Sequence, residues 1–552
     1  MMRRWYSLFA AVAVCVGAMA VFQLAMPYHL FVREQSMLFL LSAEYLATYL
    51  NAPAPLSMLL GDGLTQLMYL RYAGAATIGV IAAVEFLMWR SVMNGKRRDM
   101  WALVPTCVDV LLLTNLAYPL SMPIGTICAI ALWHVVRTIF AKTTNNTFRT
   151  VATAVCAVTG TWLIGASFVV TLLIMLYDIV RQRRTSPDIG KQLIPLAIGI
   201  ITFVATNLAL RRLYLVTHAE LWTAPANIEH YTTLMTSIVA TLLIRLVTHH
   251  VGIALALTII GGGTTLYREA DISADDIYGL GVEYYFGNHK RVENLLKRLE
   301  DKKLNIVSYY GNLESIRKGS ISDDMMLRYQ PFDKGLFMIP NERMSWLSML
   351  SGYEAFALAN CHNMAQHAAM LANIFSPEGR SVRAIKLLAK DNLAIGDTLA
   401  ADKYVSMLDK TLFNNKIRPS DITSDVETTY PDKSFAANDI AGMLLHVART
   451  RSNNTTTLNY LLAYHLLTKN IDAFGDVLKE FPNVYRGRYF QEGELIYAVQ
   501  HGETIDPTKF DKRVLDDFVE YTRLYEVGNT AQLQQRFAQS YWFYYHFAML
   551  NK

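Results

Sequence analysis

At 552 residues the chain has room for several domains. It is 53 % hydrophobic and 18 % charged, and its modest net charge of +5 gathers in basic clusters between apolar runs. That pattern is a membrane-topology signal and excludes a nucleic-acid surface.

The composition changes near Thr264. Residues 1–264 read as a transmembrane domain of long apolar runs with short polar connectors; residues 265–552 read as a soluble, charged, helical domain. Trp5–Met26 follows Arg3 and Arg4, and its length favours a retained first span over a cleaved signal peptide. Further runs of the length a bilayer requires are Met68–Trp89, Met100–Tyr118, Ser121–Phe140, Phe148–Gly165, Ala166–Val180, Gln192–Leu210, Glu229–Val247 and Val251–Tyr267. Lys and Arg collect on the cytoplasmic side of such helices. The clusters are Arg3/Arg4, Arg90/Lys96/Arg97/Arg98, Arg137/Lys142/Arg149 and Arg181/Arg183/Arg184/Lys191. Their alternation predicts about nine spans, a cytoplasmic N-terminus and a periplasmic second half. Arg211 and Arg212 break the pattern. The last hairpin, turning at Arg245, His249 and His250, would become a single tilted helix if the second half were cytoplasmic.

The first connector, Pro27–Leu67, is the longest of the membrane half. Within it, Ser36–Leu50 has helical apolar spacing and is expected to lie along the membrane surface. Arg33, Glu34 and Gln35 stand just past the first span, and Asp62 and Gln66 just before the second. Glu34 and Asp62 are the candidate catalytic pair, as acid and base or as ligands of a divalent cation. Arg33, Gln35 and Gln66 are candidate substrate contacts, and Arg33 would balance the charge. The structural alternative is a set of interfacial salt bridges and helix caps. Among ionisable groups inside the spans, Glu85 and Asp178 lie near helix ends and would snorkel, His134 would bond a neighbouring helix, and Asp109, nearer mid-span, is a further candidate substrate contact.

Gly261–Gly263 is expected to be a flexible junction. Beyond it the pattern is helix, short turn, helix. In Ser381–Leu412, the residues Leu388, Ala389, Gly396 and Ala401 are spaced as in a tetratricopeptide repeat, where small residues let two helices approach. Asp275–Leu299 is a second such unit, with Gly281 and Tyr284 in corresponding places; Met344–Phe375 and Thr455–Lys479 are degenerate copies. The aromatic end Ser540–Phe547 would close the last repeat or touch the membrane interface. Cys15, Cys107, Cys128 and Cys156 lie in apolar runs and Cys361 is alone in the second half, so no zinc spacing arises. The fold class expected is all-α: a polytopic transmembrane bundle followed by a tetratricopeptide-like helical-repeat domain.

Four stretches carry a resemblance: YHLFVREQSMLF (Tyr28–Phe39), LLAKDNLAIGDTLAADKY (Leu387–Tyr404), LNYLLAYHLLTKNIDAF (Leu458–Phe474) and SYWFYYHF. The chain resembles a family of uncharacterised polytopic membrane proteins from Bacteroidota, which implies a bacterial inner membrane. The membrane half is also loosely similar to C-type glycosyltransferases, which act on lipid-linked sugars through a long first periplasmic loop. In that resemblance Glu34 and Asp62 would be the loop acids, although Arg33–Glu34–Gln35 stands where a paired acidic motif would fall. The expected function is a membrane-anchored envelope scaffold, with the bilayer and envelope proteins or peptides in the helical groove as partners and no nucleic acid. A polyprenyl-linked sugar transferase is the alternative and a transporter the third reading. No cofactor is evident, and only the enzyme reading would admit a divalent cation.

Overall fold

The computed structural model describes residues 2–93, 95, 97–143, 145–182, 189–270, 272–339, 346–377, 379–414, 439–451 and 454–549. Lys96, Arg183, Arg184 and Met344, named above, lie outside the described residues. Regular structure among the described residues is helical throughout, and seven helical segments are long and apolar enough to cross a membrane. The chain divides into two compact units, Met1–Asp275 with Asp409–Asn415, and Asp276–Leu408 with Lys416–Lys552.

The first unit contains α1 (Met2–Ala20, continued by a wider turn over Val21–Ala25), α2 (Pro27–Gln35), α3 (Ala43–Thr48) and α4 (Pro55–Thr65). There follow α5 (Ala73–Val92), α6 (Arg98–Leu112), α7 (Ser121–Lys142), α8 (Asn146–Ile164) and α9 (Phe168–Gln182). The unit ends with α10 (Ile189–Tyr214), α11 (His218–Thr223), α12 (Ile228–Val247) and α13 (Val251–Glu269).

Side-chain contacts fix the direction of each long helix. Arg90 of α5 meets Asp99 and Glu85 meets Asp109, so α5 and α6 are antiparallel. Arg149 donates to the carbonyls of Phe140 and Thr143, which makes α8 antiparallel to α7. Thr171 donates to Ala129 and Trp133 to Asp178, so α9 runs parallel to α7. The apolar stretch from 146 to 182 is therefore a hairpin, as expected. Its turn is Gly165, whose φ of +60° is open to glycine and unfavourable to most other residues. The last hairpin is likewise two opposed helices. Arg245 of α12 lies over Trp101 at the start of α6, and His230 stands beside Tyr118 past the end of α6. α13 then runs parallel to α6, with Gly262 on Cys107 and Glu269 bonded to Asn115.

Three local expectations are corrected. The third apolar run is helical only to Leu112, and its remainder is turns whose carbonyls are capped by a distant arginine. Ser36–Leu50 is helical only over Ala43–Thr48, followed by a tight turn: Leu41 donates its backbone N–H to Lys410, and Ser42 caps α3. Gly261–Gly263 is no flexible junction. It lies inside α13, as does the expected boundary at 264/265. A Cβ on Gly262 would come within 2.9 Å of Cys107 Sγ, so the missing side chain is what lets α13 and α6 touch.

The second unit consists of helix pairs joined by short turns. Val382–Ala394 packs on Thr398–Leu408, Trp346–Leu358 on His362–Ile374, and Ile440–Thr450 on Thr455–Leu467. Tyr309, Tyr310, Phe356 and Tyr460 are buried in its core. Buried Arg383 crosses the Tyr285 ring at 4.6 Å and pairs with Glu354 at 3.2 Å. Gly396, expected at a helix crossing, is exposed and ends a helix at φ +79°. The N–H of Asp397 bonds back to Asn392, a left-handed helix end that glycine adopts without strain. Gly281 does sit at a close approach, facing the Tyr310 hydroxyl. The aromatic terminus closes the unit. Tyr541 and Trp542 are fully buried; Tyr541 Oη donates to Leu466, Tyr544 Oη to Leu467, and Trp542 Nε1 to Glu492.

Candidate functional site

The first loop is braced from three distant parts of the chain. Pro27 occupies the first position of α2, where no N–H is needed, and Asp275 takes the free N–H groups of Tyr28 and His29 at 3.3 and 2.8 Å. Burial and the neighbouring Arg33 depress the His29 pKa to about 3, so its neutral ring donates to the Leu113 carbonyl at 3.0 Å. Arg33, also buried, directs its guanidinium at the carbonyls of Leu113, Asn115 and Tyr118, at 3.1, 2.8 and 2.6 Å. These carbonyls belong to the C-cap residue of α6 and the turns that follow it, and a cation there complements the helix dipole. Arg33, expected to balance the two loop acids, reaches these three carbonyls beside the end of α6.

Glu34 is buried and accepts from Asn414 Nδ2 at 2.9 Å. The same distant segment supplies the Lys410 carbonyl to Leu41, and Phe413 stacks on Tyr69 at 5.6 Å. Asp62 is half-buried on α4 and accepts from Tyr49 Oη at 2.8 Å. Burial and that carboxylate push the Tyr49 pKa up, which keeps the phenol a donor. Gln66 reaches back to the Asp62 carbonyl and to Met37 Sδ, and Gln35 is buried on α2. The loop thus returns on itself, with Glu34 and Asp62 each bonded to a different neighbour.

A second cluster lies inside the bundle. Asp109 is completely buried; Tyr118 Oη donates to Oδ1 at 2.5 Å and Thr126 Oγ1 to Oδ2 at 3.2 Å. Glu85 of α5 lies within interaction range of the Asp109 carboxyl, and its Oε1 accepts from Trp89 Nε1 at 3.1 Å. Glu85 was expected to snorkel. Instead it is fully buried, because α5 packs its Glu85–Trp89 face onto α6. Toward the loop end, His230 packs edge-on to Tyr118 and pairs with Glu269 at 3.1 Å. At the opposite end a cavity of about 270 Å³ opens between α7, α8 and α9, with Arg137, Arg149 and Asp178 in its wall. His134 bonds Ser91 at 2.6 Å, the neighbouring-helix bond expected of it. Sequence reading missed Asn414 and Asp275 because each acts through a contact far along the chain, and Tyr118 and the pairing of Glu85 because the packing of α5 on α6 and the turns after α6 decide them.

Apolar helices packed around a buried polar interior define an integral membrane protein. The chain belongs to a family of unknown function (DUF6057), whose model matches residues 3–548. Comparison with curated proteins and with solved structures gives no match.

Proposed function

We propose that the protein is a multi-pass bacterial inner-membrane scaffold, its second unit a repeat-like stack of helix pairs serving the cell envelope. In this reading the helices α1, α5 to α10, α12 and α13 make nine crossings. Arg90, Arg137, Lys142, Arg149 and Arg181 mark the cytoplasmic ends of these helices. The first loop and the second unit are then periplasmic. Envelope proteins or peptides would dock on the helix pairs, as in other helical stacks.

The observation that carries the scaffold reading is the bracing of the first loop. Arg33 caps α6, Asp275 caps α2, and Glu34 holds Asn414 from the far half of the chain. Polar groups spent this way build a mount. The test is a pair of variants scored for folding and for rescue of a deletion strain's envelope phenotype. Gln at position 34 still accepts from Asn414, so Glu34→Gln is expected to fold and to rescue, while Glu34→Ala loosens the loop. A folded Glu34→Gln protein that fails to rescue would overturn the scaffold.

That failure would favour the second reading, a glycosyltransferase-like enzyme acting on a polyprenyl-linked sugar. One observation supports it: the loop after α1 folds into short helices and returns so that Gln66 meets Met37, three residues on from Glu34. Glu34 or Asp62 would then take the acceptor's proton or hold a divalent cation against the lipid phosphate.

A further inference from the structure

Glu85 and Asp109 present a charge problem that the surrounding helices do not solve. Both side chains are completely buried in the bundle, and each faces the other. Two ionised carboxyls in contact would repel in a medium that barely screens them, and isolated buried charge is costly. Every oxygen of the pair but one has a donor: Asp109 takes Tyr118 and Thr126, and Glu85 Oε1 takes Trp89. Glu85 Oε2 finds no donor among the described residues. A carboxylate accepts and cannot donate to another carboxylate. The contact between the two groups is therefore a hydrogen bond only if one of them carries a proton, and Oε2 is the one oxygen of the pair with no donor of its own.

The division of roles follows from the donors. Asp109 already accepts two hydroxyls, the environment of an ion. Glu85, with one indole donor and a bare oxygen, is the acid. Neighbouring helices bring further titratable groups: Cys15 on α1, Cys107 on α6, His134 on α7, His230 and Arg245 on α12, and Glu269 on α13. His134 bonds Ser91, Arg245 lies over Trp101, and His230 pairs with Glu269. Tyr118, in the turns after α6, is the titratable group that bonds the pair, and it stands between Asp109 and the His230–Glu269 pair at the loop end.

We propose that Glu85 and Asp109 form a proton-binding site within the membrane bundle, holding one exchangeable proton between α5 and α6. Removing that proton leaves two adjacent anions on facing helices, so occupancy of the site is coupled to the α5–α6 contact. The ligand is a proton, and its exchange neither makes nor breaks any other bond.

The experiment is infrared difference spectroscopy on the full chain in lipid nanodiscs, parent minus Glu85→Gln. Gln keeps the acceptor for Trp89 and offers an N–H to Asp109, so this variant is expected to fold. The subtraction also removes the buried acids Glu354 and Glu492 of the second unit. The expected result is a carboxylic-acid carbonyl band at neutral pH that shifts in D2O, is absent in Glu85→Gln, and disappears on alkaline titration with loss of one proton per chain. Asp109→Asn, which changes the acceptor, should move that band without abolishing it, and its difference spectrum serves if Glu85→Gln does not fold. The proposal is overturned if the difference spectrum shows no such band at neutral pH. It is equally overturned if added sodium removes the band at constant pH, which would make the pair a cation site.

Discussion

Arg33 shows how a residue type is legible while its role is not. A lone Arg–Glu–Gln beside a span suggests chemistry, yet the carbonyls that claim Arg33 begin 80 residues further on, at Leu113. Nothing in local spacing reports such a partner. Arg33→Ala should destabilise the full chain in detergent by about 2–3 kcal/mol, because it removes three charge-assisted hydrogen bonds and takes the guanidinium from the Tyr118 carbonyl, while Leu113 keeps His29 and Asn115 keeps the Tyr118 N–H; a thermal melt matching the parent would contradict the capping role. Glu492 makes the second residue-level prediction. It is fully buried, and burial outweighs Arg488 and the Tyr541 N–H to raise its pKa to about 7 from 4.5. The folded chain then binds more proton than the unfolded chain between those values. Stability from this group is greatest below about pH 4.5 and is lost as pH rises toward about 7. Glu492→Gln should flatten that part of the pH profile of the melting temperature, and an unchanged slope would refute it.

At the scale of elements, apolar run length and basic flanks located the long apolar helices and both hairpins, because those signals are local. Helix ends set by tertiary bonds were not legible, as the early stop of α6 and the short α3 demonstrate. The three-glycine run was misread for a related reason: glycine marks a flexible hinge or a tight contact equally well until the neighbour is known. Here the neighbour is Cys107, so Gly262→Leu should force α13 off α6 and destabilise the fold by about 1–3 kcal/mol. Gly263 has open space where a Cβ would go, and Gly263→Leu should be far milder in the same denaturation assay. Gly396→Leu should cost about 1–2 kcal/mol through left-handed backbone strain, not through overpacking.

For the whole molecule, composition changes near residue 264 while the compact units divide at Asp275, and no sequence signal announced that Asp409–Asn415 belongs with the first. Glu34 and Asn414 lie 380 positions apart. A double-mutant cycle between Glu34→Ala and Asn414→Ala should give a coupling of about 1–2 kcal/mol, and additive effects would sever the link. The separation also has a consequence for synthesis. At roughly 5–20 residues per second, the ribosome delivers Asn414 on the order of 20–80 s after Glu34. Through that interval Glu34 lacks its amide donor and Leu41 its carbonyl, on the loop that follows α1. Completion of the amino-terminal loop is thus a late event in biogenesis. A chain truncated after Leu408 should insert its helices yet remain open to protease in the first loop, whereas one ending after Asn414 should be cut there more slowly.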